Sequence, residues 1–234
     1  MATKVDVIDA LEHYLREAPI ETICPLKGGK GHPGKMTLAL RGGVGVVAKP
    51  GNDDKTRLQA HREVAARILA VELGLADLVP VTVLRSMPSG AECDAETMGS
   101  AQVLWPWFKI ALETKFTART CPGGAETSWP IAIFDWLAAN GDRHLGNWGV
   151  LQPHGREPRV VLIDHGHAFD RGGPGEFANH HRGDEVPPGL LEQVAGFARS
   201  RDSSGLNEVL AGDAVERVFA RADDLVATET LGVR

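Results

Sequence analysis

The sequence predicts an α+β fold with a β-rich first half and a mainly helical second half. Short apolar runs bounded by glycine or proline fill much of the first half, as is typical of strands. Apolar residues at helical spacing dominate the end of the chain. With 234 residues, 43% of them hydrophobic, the chain can bury a substantial core. We expect a single domain of two lobes, residues 1–105 and residues 106–234.

The composition disfavours several functional classes. A formal charge of −6 is not typical of a protein with the basic face that nucleic acids require, so we expect no nucleic-acid partner. Three cysteines, an odd number without paired spacing, are typical of a reducing compartment. The sequence contains no apolar run long enough to cross a bilayer and no apolar segment typical of a secretion signal. We therefore expect a cytoplasmic protein without membrane insertion.

The first part of the chain predicts one helix followed by three strands. Apolar residues at helical spacing indicate the helix, and Gly42-Gly43 is a signal for a two-residue hairpin between the second and third strands. The predicted elements are a helix over 5–17 and strands over 22–27, 36–41 and 44–49.

The block of residues 131–170 carries the strongest functional signal. Asp142 and Asn147 lie five positions apart after a helical run, and Asp164 follows a β-rich run. Phosphoryl transfer from ATP needs a carboxylate beside the attacking hydroxyl, and oxygen ligands that hold Mg²⁺ against the phosphates. The order of these residues predicts Asp142 as the base and Asn147 and Asp164 as metal ligands, with ATP and Mg²⁺ as cofactors.

The neighbours of Asp142 suggest supporting roles. We expect Arg143 and His144 to orient the catalytic site, and His144 could share the proton transfer with Asp142. Asp135, in the middle of the preceding helix, could anchor the loop through hydrogen bonds. Arg143 and His144 would thus mainly position other groups, and the role of Asp135 would be structural.

Two motifs in this block resemble a known kinase superfamily. GDRHLGNWGV and LIDHGHAF resemble the catalytic and metal-binding loops of the phosphatidylinositol 3-/4-kinase-like superfamily, which read D-R-H-x-x-N and D-x-G-H. That superfamily includes lipid kinases, protein kinases and, more distantly, bacterial toxin kinases of the HipA type. The matching block covers roughly a sixth of the chain. The resemblance implies a two-lobed protein-kinase-like fold.

A metal-dependent hydrolase is an alternative interpretation of the same region. Four histidines fall within a short span, which would suit a transition metal. However, the sequence has neither H-E-x-x-H nor C-x-x-C, the usual zinc-binding patterns. The kinase hypothesis is therefore favoured. The histidines are His165, His167, His180 and His181.

The glycine-rich stretch over 28–35 has two interpretations. It nearly matches a P-loop, but Met36 replaces the required hydroxyl, and the stretch joins two strands rather than a strand and a helix. As a kinase-type loop, its backbone amides at Gly31, with Lys30 or Lys35, would cover the ATP phosphates. The alternative is a flexible hairpin tip with solvated lysines.

A lysine at the end of the third strand suggests a phosphate contact. Lys49 follows three apolar residues, and a buried lysine needs an anionic partner. ATP phosphates and a glutamate on the next helix, predicted over 54–73, are the natural partners. Glu63 and Glu72 are the candidates, and the resemblance to HipA-type kinases favours Glu63.

The connection between the lobes is predicted to bind the adenine. The elements expected before it are strands over 79–84 and 101–105, joined by a polar loop over 86–97. Backbone groups near the end of the second strand would hydrogen-bond the adenine ring. The alternative is that the tryptophans in this stretch are core residues. The predicted contacts are Gln102, Leu104 and Trp105.

The second half predicts a helix that leads into the catalytic loop, a strand pair and several terminal helices. Ser128-Trp129-Pro130 suggests that the first helix begins there, with the proline in its first turn. The segment after Asp164 contains no Ser, Thr or Tyr between His165 and Ala198, so phosphorylation cannot switch it. The remaining elements are strands over 148–151 and 160–163 and helices over 190–199, 206–210 and 214–226.

These features together predict an ATP-dependent phosphotransferase with a hydroxyl acceptor. Residues 165–187 carry two arginines against four carboxylates, which disfavours an anionic lipid headgroup. The favoured acceptor is therefore protein Ser/Thr, including autophosphorylation, which would make the protein a serine/threonine-protein kinase. The alternatives are a small-molecule or lipid kinase, or a nucleotide-binding pseudokinase module.

Overall fold

The computed structural model describes residues 4–26, 35–90, 93–170, 172–202 and 204–232. The chain forms two compact units, Met1–Val64 with Pro80–Pro106 and Ala65–Val79 with Trp107–Arg234. The sequence predicted a division after residue 105, and the two units differ from that division in the stretch 65–79 and in Pro106. This stretch joins the second unit because Ala65, Leu69 and Leu73 are buried in that unit's hydrophobic core.

The first unit is built on a five-stranded antiparallel sheet with strand order β1-β2-β3-β5-β4. Helix α1 packs against β4, and helix α2 begins in this unit. The helix and first three strands predicted from the sequence are present. The elements are α1 Lys4–Glu17, β1 Ile20–Pro25, β2 Met36–Leu40, β3 Gly45–Pro50, α2 Asp54–Glu72, β4 Thr82–Gly90 and β5 Cys93–Val103.

The core of the first unit follows from the alternation of apolar residues along its strands. Met36, Leu38 and Leu40 of β2 point into the core and pack with Leu15 of α1. Arg85 of β4 holds the end of α1, because its Nη1 and Nη2 donate to the carbonyls of Leu15 and Ala18 at 2.8 and 3.0 Å.

The polar loop predicted over 86–97 is wrong, because most of this stretch belongs to strands. β4 and β5 form a long hairpin in which Ser86 pairs with Met98 and Met87 with Thr97. Ser86 Oγ also donates to Glu96 Oε2 at 2.7 Å. Strand pairing satisfies the hydrogen bonds of the main chain, whichever side chains the strand carries. The exposed face of a strand can therefore be polar, and in the sequence such a strand resembles a loop.

The second unit combines a small sheet with helices. Strands β7 and β8 pair with Trp148 opposite Leu162, which confirms the predicted strand pair, and β6 adds a third strand that the sequence did not predict. The elements are β6 Phe108–Ile110, a 3₁₀ turn Ala111–Glu113, α3 Ala125–Leu137, β7 Trp148–Leu151, β8 Arg159–Leu162, α4 Glu176–His180, α5 Pro188–Ser200, α6 Ser204–Asn207 and α7 Gly212–Thr228.

Helix α3 is the central element of the second unit. Ile131, Phe134 and Leu137 are completely buried, and the helix packs against α4 and α7. The predicted start at Ser128 is wrong, because the helix begins at Ala125 and includes Pro130 in its interior. The proline is tolerated because the carbonyl that loses its partner belongs to Glu126, an exposed residue in the first turn.

No helix within the described ranges is long and apolar enough to cross a membrane. The α+β class predicted from the sequence is confirmed, since an antiparallel sheet is followed by a mainly helical part.

Candidate active site

The predicted catalytic loop begins where helix α3 ends. Ala139 adopts a left-handed conformation with φ 47°, and the Asn140 N–H donates to the Asp135 carbonyl at 2.8 Å. These features turn the chain out of the helix, in the way that helices commonly end. The loop that carries Asp142 and Asn147 follows directly.

A buried ion pair anchors this loop to α3. Asp135 and Arg143 have no solvent-exposed side-chain surface, and Arg143 Nε lies 3.2 and 3.1 Å from the two Asp135 carboxylate oxygens. Arg143 Nη2 and Asn140 Nδ2 each donate to Asp135 Oδ1 at 3.1 Å. The carboxylate thus accepts several charge-assisted bonds, which are the strong class of protein hydrogen bonds.

Arg143 also connects the catalytic loop to the residue before Asp164. Its Nη1 donates to the Asn147 carbonyl and, at 2.9 Å, to the Ile163 carbonyl. The Ile163 N–H in turn donates to the Asn147 carbonyl at 3.0 Å. The predicted base loop and metal loop are therefore tied together around one guanidinium group, which is consistent with the orienting role expected of Arg143.

Asp142 and Asn147 are in direct contact. Asn147 Nδ2 donates to the Asp142 carbonyl at 2.8 Å and to its carboxylate Oδ2 at 3.1 Å. Because the amide nitrogen makes these bonds, Oδ1 is the Asn147 atom that would ligate Mg²⁺. The Asp142 side chain remains 43% exposed, so an acceptor hydroxyl can reach it.

His144 is a poor candidate for a second base. Its Nδ1 accepts a hydrogen bond from the Gly146 N–H at 2.9 Å, so the neutral ring carries its proton on Nε2. Nε2 lies 3.9 Å from Asp142 Oδ1. A nitrogen that already carries a proton can donate toward that carboxylate but cannot accept a proton from the substrate. This geometry favours the orienting role of His144.

Asp164 adopts a strained backbone conformation. Its φ of 59° lies in the left-handed region, which costs about 1–2 kcal/mol for most residues with a side chain and less for Asp and Asn. Strain of this kind is concentrated at functional sites, where the surrounding structure maintains it. The turn that follows is held by the Phe169 N–H, which donates to the Ala138 carbonyl at 2.6 Å.

A pocket of about 570 Å³ opens beside Asp142. We call it the Asp142 pocket. Its wall depends on glycine, because a Cβ on Gly141 would lie 2.6 Å from the Gly173 carbonyl oxygen. The segment that forms the wall is tied back to the loop by the Glu176 N–H, which donates to the Arg143 carbonyl at 3.0 Å. The lining residues are Gly141, Asp142, His167, Asp170, Gly172 and Gly173.

Among the described residues, the four histidines considered as metal ligands do not form one group, although the ring centroids of His180 and His181 lie 4.5 Å apart. His165 is buried and meets Phe134 edge-on, whereas His167 lines the Asp142 pocket. His181 accepts or donates a hydrogen bond with Ser128 Oγ at 2.9 Å and stacks on a tryptophan ring, and burial lowers its pKa. Within the residues that the structure describes, no group of three or more His, Cys, Asp or Glu side chains could hold a metal ion.

Lys49 and Glu63 form an ion pair within the first unit. Lys49 Nζ contacts Glu63 Oε1, and the two residues are only 6% and 2% exposed. Glu72, the rival candidate, lies in the second unit, where burial and the nearby charge of Asp202 raise its pKa. The structure thus brings together the pair that the sequence favoured, and its role toward ATP stays a prediction.

The predicted adenine contacts are partly occupied by other bonds. The Leu104 N–H donates to the Gly45 carbonyl at 2.9 Å, and Gln102 Nε2 donates to Thr82 Oγ1 at 3.0 Å. Trp105 packs against the core of the first unit, as its alternative role suggested. Among the predicted adenine contacts, the Leu104 carbonyl is therefore the best candidate for a hydrogen bond to the adenine ring. The predicted phosphate contacts Lys30 and Gly31 lie outside the described residues.

We expect Asp135→Asn to destabilise the protein strongly. Removing the Asp135 charge leaves the buried charge of Arg143 uncompensated, which typically lowers the free energy of unfolding by about 3–5 kcal/mol. Asp223→Asn is a matched control, because Asp223 forms an exposed pair with Arg201 at 2.6 Å, and exposed pairs contribute about 0–1 kcal/mol. Urea unfolding measures both. If both variants lost the same small amount of unfolding free energy, the Asp135–Arg143 pair would not be a structural anchor.

Comparison of the sequence with protein-family models gives no match, and comparison with curated proteins gives none either. Solved structures do match in fold. The Golgi casein kinase with Mn/ADP bound is 16% identical, with a TM-score of 0.71 over 98% of this chain and 76% of that chain. Hydra Fam20 with sugar is 16% identical, with a TM-score of 0.66 over 98% of this chain and 90% of that chain.

A bacterial kinase shows a weaker likeness. The Helicobacter pylori proinflammatory kinase CtkA is 11% identical, with a TM-score of 0.50 over 93% of this chain and 94% of that chain. At such identities the likeness concerns the fold alone. The chain therefore has a protein-kinase-like α+β fold, and its chemistry must be argued from its own residues.

Proposed function

We propose that this protein is an ATP- and Mg²⁺-dependent phosphotransferase whose favoured acceptor is a Ser or Thr hydroxyl of a protein. The observation that carries the proposal is the hydrogen-bonded unit of Asp142 and Asn147, which Arg143 ties to the strand end before Asp164. The two connected loops supply a base, an amide oxygen and a carboxylate. Phosphoryl transfer requires these groups.

Asn147 and Asp164 would hold Mg²⁺ through oxygen atoms, which a hard cation prefers. The bound cation would neutralise charge on the phosphate oxygens of ATP. The orientation of the Asn147 amide fits this role, because Nδ2 is bonded to Asp142 and Oδ1 is the remaining ligating atom. The strained backbone of Asp164 suits a residue held for function rather than for stability.

Asp142 would accept the proton of the acceptor hydroxyl. The acceptor oxygen then bonds to the γ-phosphorus while the bond to the ADP oxygen breaks, and the proton passes from Asp142 to solvent. Arg143 takes no part in bond making, and it holds the loop in position from a completely buried site. In the first unit, Lys49 paired with Glu63 would bind phosphate oxygens of ATP.

The direct test is transfer of labelled γ-phosphate from ATP to Ser/Thr proteins, with intact mass measured in parallel. We expect the substrate or the enzyme itself to gain phosphate only when Mg²⁺ is present. A gain of AMP instead would show nucleotidyl transfer, and tight ATP binding without turnover would show a pseudokinase module. Either result would refute the proposed reaction.

We expect Lys49→Met to reduce phosphoryl transfer by about 10²–10³-fold, as removal of one preorganised charge-stabilising group usually does. The variant also leaves Glu63 buried without its lysine partner, so its stability should fall. The double variant Lys49→Met/Glu63→Gln removes both charges, and it should recover stability without recovering activity.

The control for this variant is Lys55→Met, which removes an exposed lysine of α2 in the same unit. Steady-state kinetics and urea unfolding of all three variants separate the two effects. Transfer at the wild-type rate in Lys49→Met would remove Lys49 from the ATP site.

A further inference from the structure

A second pocket, of about 260 Å³, adjoins the Asp142 pocket. The two pockets share the wall residues Asp170, Gly172 and Gly173. The second pocket adds Arg217 and Arg221, which extend from successive turns of α7. We call it the arginine pocket. The two pockets therefore adjoin along these residues, with Asp142 lining one pocket and the two arginines lining the other.

The two arginines differ in what they bind. Arg221 Nε and Nη2 both donate to the Leu137 carbonyl, at 2.8 and 2.5 Å, so Arg221 closes the end of α3. Burial and the charge of Arg217 lower the pKa of Arg221 to about 10, and it remains a cation at neutral pH. The Arg217 side chain is partly exposed, and its Nη1 donates to the carboxylate of Asp213 at 2.6 Å.

Two residues of the pocket carry buried donors that the described residues do not satisfy. Arg217 Nε and Trp136 Nε1 are buried and form no hydrogen bond with any residue that the structure describes. Both residues line the arginine pocket. Buried N–H groups in proteins almost always have an acceptor. Two such donors beside guanidinium charge match the acceptor-rich chemistry of a carboxylate or a phosphate.

Nearby carboxylates neutralise part of the charge of this pocket, since Asp213 accepts a hydrogen bond from Arg217 Nη1 and Asp170 lies in the wall. Asp135 also lines it, but its carboxylate is bonded to Arg143 and Asn140. The charged residues that line the pocket, Asp135 and Asp170 against Arg217 and Arg221, have no net formal charge. An oxyanion would therefore compete with Asp213 for Arg217, and a highly charged headgroup would not suit this balance.

We propose that the arginine pocket binds an oxyanion of the acceptor, a carboxylate or phosphate carried near the hydroxyl that is phosphorylated. Arg217 is the specificity-determining residue, because Arg221 is engaged by α3. The acceptor part rests on the proposed function, in which Asp142 faces the hydroxyl. The anion-binding part rests only on the contacts within the second unit.

Anion binding can be tested without ATP. Inorganic phosphate is titrated into ¹⁵N-labelled protein, and the Trp136 indole N–H signal, assigned with Trp136→Phe, is followed by NMR. We expect that signal to shift in the wild type, with affinity about 10–100-fold weaker in Arg217→Gln, the usual value of a charge-assisted hydrogen bond. Arg201→Gln is the control, since Arg201 also pairs with an aspartate at 2.6 Å.

Two results would overturn the anion site. One is a Trp136 signal that does not respond to phosphate, and the other is equal affinity in wild type and Arg217→Gln. If Arg217→Gln is poorly folded, Asp213→Asn provides an independent test. It removes the carboxylate that competes for Arg217, so phosphate should bind more tightly than in the wild type.

The acceptor role is tested with pairs of alcohols that differ only in the oxyanion. Glycerate against glycerol represents a small molecule, and a Ser peptide flanked by Glu against one flanked by Gln represents a protein. We expect the anionic member of one pair to have kcat/KM about 10–100-fold higher, and Arg217→Gln to abolish that preference while leaving the neutral acceptor's rate unchanged.

A preference that persists in Arg217→Gln would overturn the acceptor role. If no alcohol is phosphorylated but phosphate still shifts the Trp136 signal through Arg217, the proposed function fails while the anion site stands. The glycerate and peptide results also show which kind of acceptor carries the oxyanion.

Discussion

Asp164→Asn is expected to lower Mg²⁺-dependent phosphoryl transfer by at least about 10²–10³-fold, the usual effect of removing one preorganised charge-stabilising group. The change keeps the side chain's shape and removes the charge that would hold the metal ion. Asparagine also tolerates the left-handed backbone of this position, with φ of 59°. The loss should therefore appear in catalysis while the protein stays folded.

Asp164→Gly is a second test of the role of the same residue. Glycine relieves the left-handed strain but adds freedom to the unfolded chain, and these opposing effects are each about 1 kcal/mol. We expect stability within about 1 kcal/mol of the wild type, together with loss of transfer. Thermal unfolding and single-turnover transfer, measured over a range of Mg²⁺ concentrations, provide both quantities. Wild-type transfer in either variant would refute the central assignment.

Asp142→Asn is expected to slow the chemical step by about 10²–10⁴-fold while leaving ATP binding nearly intact, because a positioned base contributes about that much to the rate. The new amide oxygen can still accept the hydrogen bond from Asn147 Nδ2, which lies 3.1 Å from Asp142 Oδ2. The loop should therefore keep its structure. Calorimetry of ATP binding beside single-turnover transfer measures the two effects separately.

Two companion variants distinguish the base from its neighbours. Asn147→Ala should weaken the response to Mg²⁺ as well as the rate, because it removes a proposed metal ligand. His144→Gln should cost less than Asp142→Asn, since His144 Nδ1 is engaged by the Gly146 N–H. Collapse of ATP binding in Asp142→Asn, with a normal residual rate, would instead make Asp142 a structural or metal residue.

The contacts of the catalytic loop were largely predictable from the sequence. Asp135, Asp142, Arg143 and Asn147 lie within 13 positions of one another, so a helix end and a short loop bring them together almost automatically. The Lys49–Glu63 pair was predictable for a related reason, because a strand followed directly by a helix leaves few glutamates within reach. Glu63 was then chosen through a family resemblance.

The errors have a common physical origin. The stretch over 86–97 has the polar composition of a loop, but it forms strands because β4 and β5 pair with each other and β5 pairs with β3. Pro130 lies inside α3 because Phe134 and its apolar neighbours are buried, and this packing outweighs the lost hydrogen bond. Pairing and burial decided both cases.

The sequence by itself determined the α+β class and the groups proposed for phosphoryl transfer, because these depend on local periodicity and on residues close together in the chain. Only the tertiary structure decided what surrounds those groups. Arg217 and Arg221 are far along the chain from Asp142, yet packing of α7 against α3 places them beside Asp170, Gly172 and Gly173. Long-range packing of this kind leaves no periodic signal, so the charged groups beside the Asp142 pocket could not be predicted from the sequence.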